Sequence, residues 1–277
     1  MQLRLGQRTY DVATRSLVMG ILNRTPDSFS DAGAYWDFDA FLRRADELVA
    51  QGADLLDVGG VKAGPGPEVT EQEELERVVP AIEALAARFD VPLSVDTWRA
   101  SVAKAAFAAG AVVGNDISGF ADPEYLPVCA AAGATVVATH IRLAPRVPDP
   151  NPVYDDVVEA VDAFLADRAA RAEAAGVDRD RIVLDAGLDL GKTEAQSLLL
   201  LRRSDRLVAL GYPVLLSASK KRFLGHLLDV PVGERQAATM AAHALGVALG
   251  CRILRAHDVR SAKRVADVIA AVLEVAP

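Results

Sequence analysis

The sequence predicts a (β/α)8 TIM barrel with a short N-terminal hairpin. Three observations favour this fold: short apolar runs recur along the chain, segments with helical periodicity separate them, and polar residues follow most of the runs. A strand buried on both faces is a short continuous apolar run, whereas an amphipathic helix repeats its apolar residues every three to four positions. The eight apolar runs lie at residues 17–22, 55–58, 93–95, 111–113, 135–138, 182–184, 214–216 and 252–254.

The segments between the runs have the pattern of amphipathic helices, most clearly at residues 38–51, 71–89 and 241–250. Glycine is common at the left-handed end of a helix, and it precedes five of the runs at Gly52, Gly110, Gly133, Gly211 and Gly250. Eight strand–helix units match a (β/α)8 barrel. A doubly wound parallel sheet is the alternative, because it uses the same units and differs mainly in their number.

We expect residues 1–277 to form one domain. Weak alternation over residues 3–12 predicts a small hairpin beneath the barrel. The proline-rich segment 142–153 is predicted to be an insertion after the fifth strand. No linker, low-complexity tract or internal repeat divides the chain.

The composition excludes several classes of function. The chain is 51% hydrophobic and 25% charged, which is typical of a globular protein, and its net charge of −8 argues against a nucleic-acid partner. Cys129 and Cys251 are far apart and lack metal-binding spacing, which fits a reducing compartment. The N-terminus does not have the pattern of a signal peptide, and no apolar stretch has membrane-spanning length. We therefore expect a cytoplasmic protein with no membrane partner.

Polar side chains follow nearly every predicted strand. A single aspartate in such a place is more often a helix N-cap than a catalytic group. In a barrel, however, all of these strand ends meet at one mouth, where active sites of this fold lie. The strand-end residues are Asn23, Asp57, Asp96, Asn115, Asp116, His140, Asp185, Ser219, Lys220, Lys221, Arg255 and His257.

The chemistry of these residues indicates two kinds of ligand. Carboxylates and an amide on the third, fourth and sixth strands suit a flat heterocycle with several N–H donors. Arg255 and His257, together with Asn23, suit an anion such as a diphosphate, with a divalent cation. Lys221 suits either ligand, although Lys220 and Lys221 are equally compatible with a solvated helix start.

The segment GLDLGKT, at residues 187–193, looks like a phosphate-binding P-loop. It has three rather than four residues between Gly187 and Gly191, and Ala186 stands where the first glycine belongs. We expect its glycines to let the sixth strand turn sharply beside the ligand instead.

Six segments resemble, in order and spacing, the signatures of the dihydropteroate synthase family. The resemblance extends from about residue 17 to 275 and implies a (β/α)8 barrel that forms a homodimer. The segments are MGILNRTPDSFSD (19–31), SVDTWRASVAKAA (94–106), NDISG (115–119), DAGLDLGKT (185–193), SASKKRFLG (217–225) and RAHDV (255–259).

This resemblance implies a transferase that joins 6-hydroxymethyl-7,8-dihydropterin diphosphate to p-aminobenzoate and releases diphosphate, in folate biosynthesis. By resemblance, the residues that hold the pterin are Asp96, Asn115, Asp185 and Lys221. Those that hold the diphosphate are Asn23, Arg255 and His257, with Mg²⁺ near Asn23. The implied catalytic residues are Asp96, Lys221, Arg255 and His257. The leaving group is expected to depart before the amine attacks, with Asp96 near the developing pterin cation.

The acceptor loop departs from the family pattern. Asp-Val-Gly-Gly is usually followed by Glu-Ser-Thr-Arg-Pro-Gly, but here residues 61–66 read Val-Lys-Ala-Gly-Pro-Gly. The predicted acceptor-side residues are Lys62, Pro65 and Ser219. Lys62 offers a compact ammonium charge where the family arginine offers a planar guanidinium with a fork of N–H donors. Asp189-Leu190 replaces a Gly-Phe pair that would supply an aromatic wall.

Two main hypotheses follow. The first is a synthase that uses p-aminobenzoate or a related amine; the second is a pterin-binding paralogue without synthase activity. A folate-dependent methyl-transferring barrel shares the pterin pocket, but has less need of Arg255 and His257. An aldolase that forms a Schiff base on Lys221 is a weaker reading still.

Overall fold

The computed structural model describes residues 1–25 and 37–275. Its strands are β1 (Gln2–Leu5), β2 (Arg8–Asp11), β3 (Leu17–Asn23), β4 (Leu55–Gly59), β5 (Leu93–Asp96), β6 (Val113–Asp116), β7 (Thr135–Thr139), β8 (Ile182–Asp185), β9 (Val214–Leu216) and β10 (Ile253–Ala256). Its α-helices are α1 (Phe38–Ala50), α2 (Glu71–Arg88), α3 (Ala100–Ala108), α4 (Tyr125–Ala132), α5 (Val157–Ala174), α6 (Glu194–Arg202), α7 (Ser204–Val208), α8 (Arg222–Leu228), α9 (Gln236–Ala248) and α10 (Val259–Glu274).

Strands β3 to β10 close into a parallel barrel in chain order, with β10 paired to β3. The predicted barrel is therefore confirmed over the doubly wound sheet. The register of the strands positions the polar residues: Asn23 lies opposite Gly59, Gly59 opposite Asp96, and Asp96 opposite Asn115. These side chains consequently lie at one level of the barrel mouth.

The N-terminal hairpin is confirmed as an antiparallel pair of β1 and β2. Leu3, Leu5 and Val12 are buried with Met19 and Leu55 in a cluster of apolar residues from the hairpin and the barrel strands. The hairpin thus closes the end of the barrel opposite to the strand-end polar residues. A second apolar cluster, between the barrel and the helices, completes the core.

The glycines expected at the helix ends all have positive φ. One of them explains a difference from the predicted strand at 111–113, since β6 begins only at Val113. Gly110 has φ +117°, and the amide of Ala111 still donates to the carbonyl of Ala106 at 2.9 Å. Ala111 therefore belongs to the turn that caps the C-terminus of α3, and the strand starts two residues later. The last strand likewise lies one residue later at its start and extends to Ala256.

Within the described ranges, none of the helices combines the length and the apolar character needed to cross a bilayer.

Candidate active site

A cavity of about 600 Å³ opens at the C-terminal mouth of the barrel. Eight of the ten residues that the sequence singled out as site residues line it: Asn23, Lys62, Pro65, Asp96, Ser219, Lys221, Arg255 and His257. The other two, Asn115 and Asp185, are only 4% and 5% exposed and lie deeper in the barrel. Residues 26–31 of the first sequence motif lie outside the described residues.

Asp57 is the residue that joins the strands of this mouth. It is fully buried and accepts hydrogen bonds from Ser94 Oγ at 2.6 Å, Asn115 Nδ2 at 3.2 Å and Arg255 Nε at 2.7 Å. These donors come from β5, β6 and β10. The sequence showed Asp57 as a strand-end aspartate, but did not single it out among the site residues.

Arg255 also donates through Nη2 to Asp96 at 2.8 Å. A guanidinium has five N–H donors, so these two hydrogen bonds leave donors for a ligand in the cavity. Burial raises the pKa of Asp96 to about 7, while the positive charge of Arg255 opposes that rise. The charge of Asp96 is therefore sensitive to its surroundings near neutral pH.

Asp185 lies at the end of β8 and begins a sharp turn. Its Oδ1 accepts a hydrogen bond from the amide of Gly187 at 2.8 Å, and burial raises the pKa of its carboxyl group. Lys221 donates through Nζ to the carbonyl of Leu188 at 2.9 Å, and burial lowers its pKa. Gly187 and Gly191 have φ of +63°, so the glycines of this segment allow the sharp turn that the sequence predicted.

His257 contacts Ser219 through both its ring and its backbone. Nδ1 lies 2.9 Å from Ser219 Oγ, and the His257 amide donates to the same oxygen at 3.2 Å. Burial lowers the pKa of His257 to about 3, with the charge of Arg255 adding to the effect. The imidazole is therefore neutral at physiological pH, so that it can accept the hydroxyl proton of Ser219 at Nδ1.

The acceptor loop is held by the strap, by which we mean the insertion at residues 142–153. The amide of Arg146 donates to the carbonyl of Ala63 at 3.0 Å, and its guanidinium donates to the carbonyls of Lys62 (3.3 Å) and Pro67. A side chain at Gly64 would find no other atom within 4 Å of its Cβ. The shortened side chains of this loop thus leave open space beside the cavity, while the backbone of the loop is anchored.

The aspartate at position 189, which replaces a glycine of the family pattern, has a visible structural role. Asp189 has φ +67°, a conformation that favours glycine, and its carboxylate accepts hydrogen bonds from the amides of Arg222 (2.5 Å) and Phe223 (3.2 Å). It therefore caps α8 from another segment.

Lys192 is a buried polar residue that the sequence did not single out. Its segment was considered as a P-loop candidate and as one of the family signatures, and neither gave the lysine a role. It is 4% exposed, and its Nζ lies 2.8 Å from Nδ1 of His140. Its other partners are backbone carbonyls, which no pattern of side chains in a sequence reveals.

Comparison with known proteins identifies relatives across the whole barrel. The family model described as "Pterin binding enzyme" matches residues 19–257. The chain is 45% identical to "Inactive dihydropteroate synthase 2" of Mycobacterium leprae, with 96% of this chain and 93% of the relative covered. It is 42% identical to dihydropteroate synthase of Bacillus subtilis, with 94% and 89% covered.

Solved structures give the same result for the fold. A crystal structure of Yersinia pestis dihydropteroate synthase in complex with a sulfonamide drug superposes with a TM-score of 0.94 at 38% identity, covering 99% of both chains. Xanthomonas albilineans dihydropteroate synthase with 4-aminobenzoic acid has a TM-score of 0.90 at 40% identity, again covering 99% of both chains.

Proposed function

The chain belongs to the pterin-binding enzyme family, and on that premise we propose that it is a dihydropteroate synthase-like transferase. It condenses 6-hydroxymethyl-7,8-dihydropterin diphosphate with p-aminobenzoate or a related amine and releases diphosphate, as in folate biosynthesis. The observation that carries the proposal is the convergence, at one barrel mouth, of groups for a pterin and groups for a diphosphate.

The pterin is held by the deeper part of this mouth. Asp185 accepts from the 2-amino group and ring N–H of the pterin, and Lys221 donates to its carbonyl. Asn115 and Asp96 face the other edge of the ring. Charge-assisted hydrogen bonds of this kind are stronger than neutral ones and fix the orientation of a planar ligand.

The reaction breaks the bond between the pterin methylene carbon and the diphosphate oxygen. Donors of Arg255 that Asp57 and Asp96 do not use stabilise the departing charge, with neutral His257 beside them, and such preorganised donors are a large catalytic effect. Asp96, as a carboxylate, stabilises the positive charge that develops on the pterin. The amine nitrogen then bonds to the methylene carbon and loses its proton afterwards, so no general base is required.

Mg²⁺ fits this site only as an ion that the diphosphate brings with it. Among residues 1–25 and 37–275, no group of three or more His, Cys, Asp or Glu side chains could hold a metal. Mg²⁺ commonly keeps several waters and binds few protein groups together with substrate phosphates. The side-chain oxygen of Asn23 is the group that would bind it, and the ion would then supply charge neutralisation to the leaving diphosphate.

A second candidate function is a pterin-binding protein without synthase activity. The acceptor loop favours it, since Lys62, Ala63 and Gly64 replace the hydroxyl groups and arginine of the family pattern. The Mycobacterium leprae relative is named an inactive dihydropteroate synthase, which is consistent with this alternative.

One experiment separates the two candidates. The protein is incubated with the pterin diphosphate, Mg²⁺ and p-aminobenzoate, and both dihydropteroate and diphosphate are measured. A synthase forms the two products in equal amounts. Diphosphate without dihydropteroate indicates a missing or different acceptor, with water attacking the pterin methylene carbon in the incubation. Tight pterin binding with neither product establishes the binding protein and contradicts the synthase.

We further propose a cytoplasmic homodimer. Leu245 on α9 and Val268 and Val272 on α10 are exposed apolar side chains on two helices that pack side by side, and a second copy of the chain would cover them. Cys129 and Cys251 are buried and free, as is common in a reducing compartment. Sedimentation equilibrium should give twice the chain mass, and Val268→Glu should give a monomer.

A further inference from the structure

Lys192 lies between two segments that hold Asp185, namely the turn at residues 187–190 and the end of β7. Besides His140 Nδ1, its Nζ contacts the carbonyls of Gly187 (2.9 Å), Leu190 (3.0 Å) and His140 (3.2 Å). Four acceptors therefore surround a group with three protons. The ammonium is buried against neutral atoms, and none of these direct partners is a carboxylate.

Two of the partners of Lys192, Gly187 and His140, are also residues that hold Asp185. The amide of Gly187 donates to Asp185 Oδ1 at 2.8 Å, and the amide of His140 donates to the carbonyl of Asp185 at 3.0 Å. Lys192 thus donates to the carbonyls of Gly187 and His140, the same two residues whose amides donate to Asp185. Lys221 holds the same turn from the other side, through the carbonyl of Leu188.

We propose that Lys192 is a positioning residue for pterin binding: its ammonium fixes the turn at residues 187–190 and the end of β7, and thereby the carboxylate of Asp185. Lys192 itself does not touch the pterin. This inference rests on the proposed function, because it concerns the pterin subsite of that function.

The charge of Lys192 depends on pH in the physiological range. Burial lowers its pKa to about 7, and nearby carboxylates oppose that shift. The groups that face it are Asp185 at the end of β8, Asp189 in the following turn, Asp149 in the strap, Lys221 before α8 and His140 at the end of β7. As the pH rises above 7, the ammonium loses one proton, and the turn loses one donor for its four acceptors.

The test measures the affinity for 6-hydroxymethylpterin, which lacks the diphosphate, in the wild-type protein and in Lys192→Met and Lys192→Gln. At pH 6 both variants should bind about 10-fold or more weakly, because a charged donor to buried acceptors is lost. By pH 9 the ratio between wild type and variant should fall below about 3-fold, since the wild-type lysine is then largely neutral. Groups that do not interact with Lys192 titrate equally in all three proteins and cancel in this ratio. Asp185, whose pKa the charge of Lys192 lowers, does not cancel and is part of the effect that the ratio measures. Lys104→Met, at an exposed position on α3, is the matched control and should bind like wild type at every pH.

The outcomes separate the inference from the proposed function. A ratio that stays constant with pH assigns Lys192 a packing role only and overturns the inference, as does unchanged affinity at pH 6. A wild-type protein that does not bind the pterin contradicts the proposed function itself.

If neither variant folds, hydrogen exchange of the peptide at residues 187–192 in the wild-type protein tests whether the charge of Lys192 fixes this turn. After correction for intrinsic rates, exchange should become faster between pH 6 and 9, and a constant corrected rate overturns the inference.

Discussion

Arg255 donates its Nε–H to Asp57 at 2.7 Å and so joins the last strand of the barrel to β4 across the mouth. The same carboxylate binds Ser94 and Asn115, so that four strands meet at one buried side chain. A pterin residue and a diphosphate residue of the proposed site are therefore positioned by a third residue, Asp57. Without its negative charge, the guanidinium of Arg255 would keep only Asp96 as an anionic partner.

Asp57→Asn should destabilise the fold. Removing one partner of a buried ion pair lowers the free energy of unfolding by up to about 3–5 kcal/mol, and Arg255 would then have only the carboxylate of Asp96 to balance its charge. Urea denaturation followed by circular dichroism measures the change. The matched control is Asp90→Asn, which removes the partner of Arg8 at a position that is 99% exposed, and which should leave the unfolding midpoint unchanged. Equal midpoints for wild type and Asp57→Asn would show that this carboxylate is dispensable.

The pH dependence of turnover should report Asp96. Its pKa is raised to about 7, chiefly by burial, so the carboxylate that stabilises the pterin cation is protonated at lower pH. With p-aminobenzoate saturating, kcat/KM for the pterin diphosphate reports the groups of the free enzyme, so it should rise on the acid side as the pH increases through about 7. Asp96→Asn should have a lower kcat/KM without this rise. A wild-type profile that is flat from pH 5.5 to 8.5 would exclude a catalytic role for the Asp96 charge.

The fold followed from local features of the sequence. Apolar runs and helix-ending glycines act within a few residues, and in a barrel the ends of all strands necessarily meet, so Asp96, Asn115 and Asp185 were placed correctly at one end of the barrel. The role of Asp57 depends on donors that are 37, 58 and 198 residues away in the chain. Such a convergence is a property of the closed barrel. Lys192 was missed for another reason, since most of its partners are backbone carbonyls.

Lys62 should contribute to binding of the acceptor amine. It lines the cavity beside Pro65. In the loop sequence, it is the positively charged residue closest to position 64, where the family pattern has its arginine. Loss of one charge-assisted contact corresponds to at least about 10-fold in affinity, so Lys62→Ala should raise the KM for p-aminobenzoate by that factor. The affinity for the pterin diphosphate should not change. Lys104→Ala is the control, and an unaltered KM in Lys62→Ala would show that the lysine does not replace the arginine.

Removal of Mg²⁺ should affect only the ligand that carries phosphates. Because Asn23 alone is a weak site, EDTA should reduce the affinity for the pterin diphosphate by at least about 10-fold and leave the affinity for 6-hydroxymethylpterin unchanged. Calorimetry with the two ligands, with and without added Mg²⁺, measures both values. Equal effects of EDTA on the two ligands would indicate a metal with a structural role instead.

Substitutions of Asp189 should distinguish two effects on stability: the capping of α8 by its carboxylate and the strain of its left-handed backbone. The residue caps α8, which follows Lys221, but it does so at φ +67°, where glycine is favoured. Asp189→Ala loses the cap and keeps the strain, so the free energy of unfolding should fall by about 1–2 kcal/mol. Asp189→Gly loses the cap but relieves the strain of about 1 kcal/mol, so its stability should lie closer to that of wild type. Both variants should bind the pterin more weakly, because Lys221 is then less firmly placed. If Asp189→Gly were as unstable as Asp189→Ala, the left-handed backbone at this position would carry no strain.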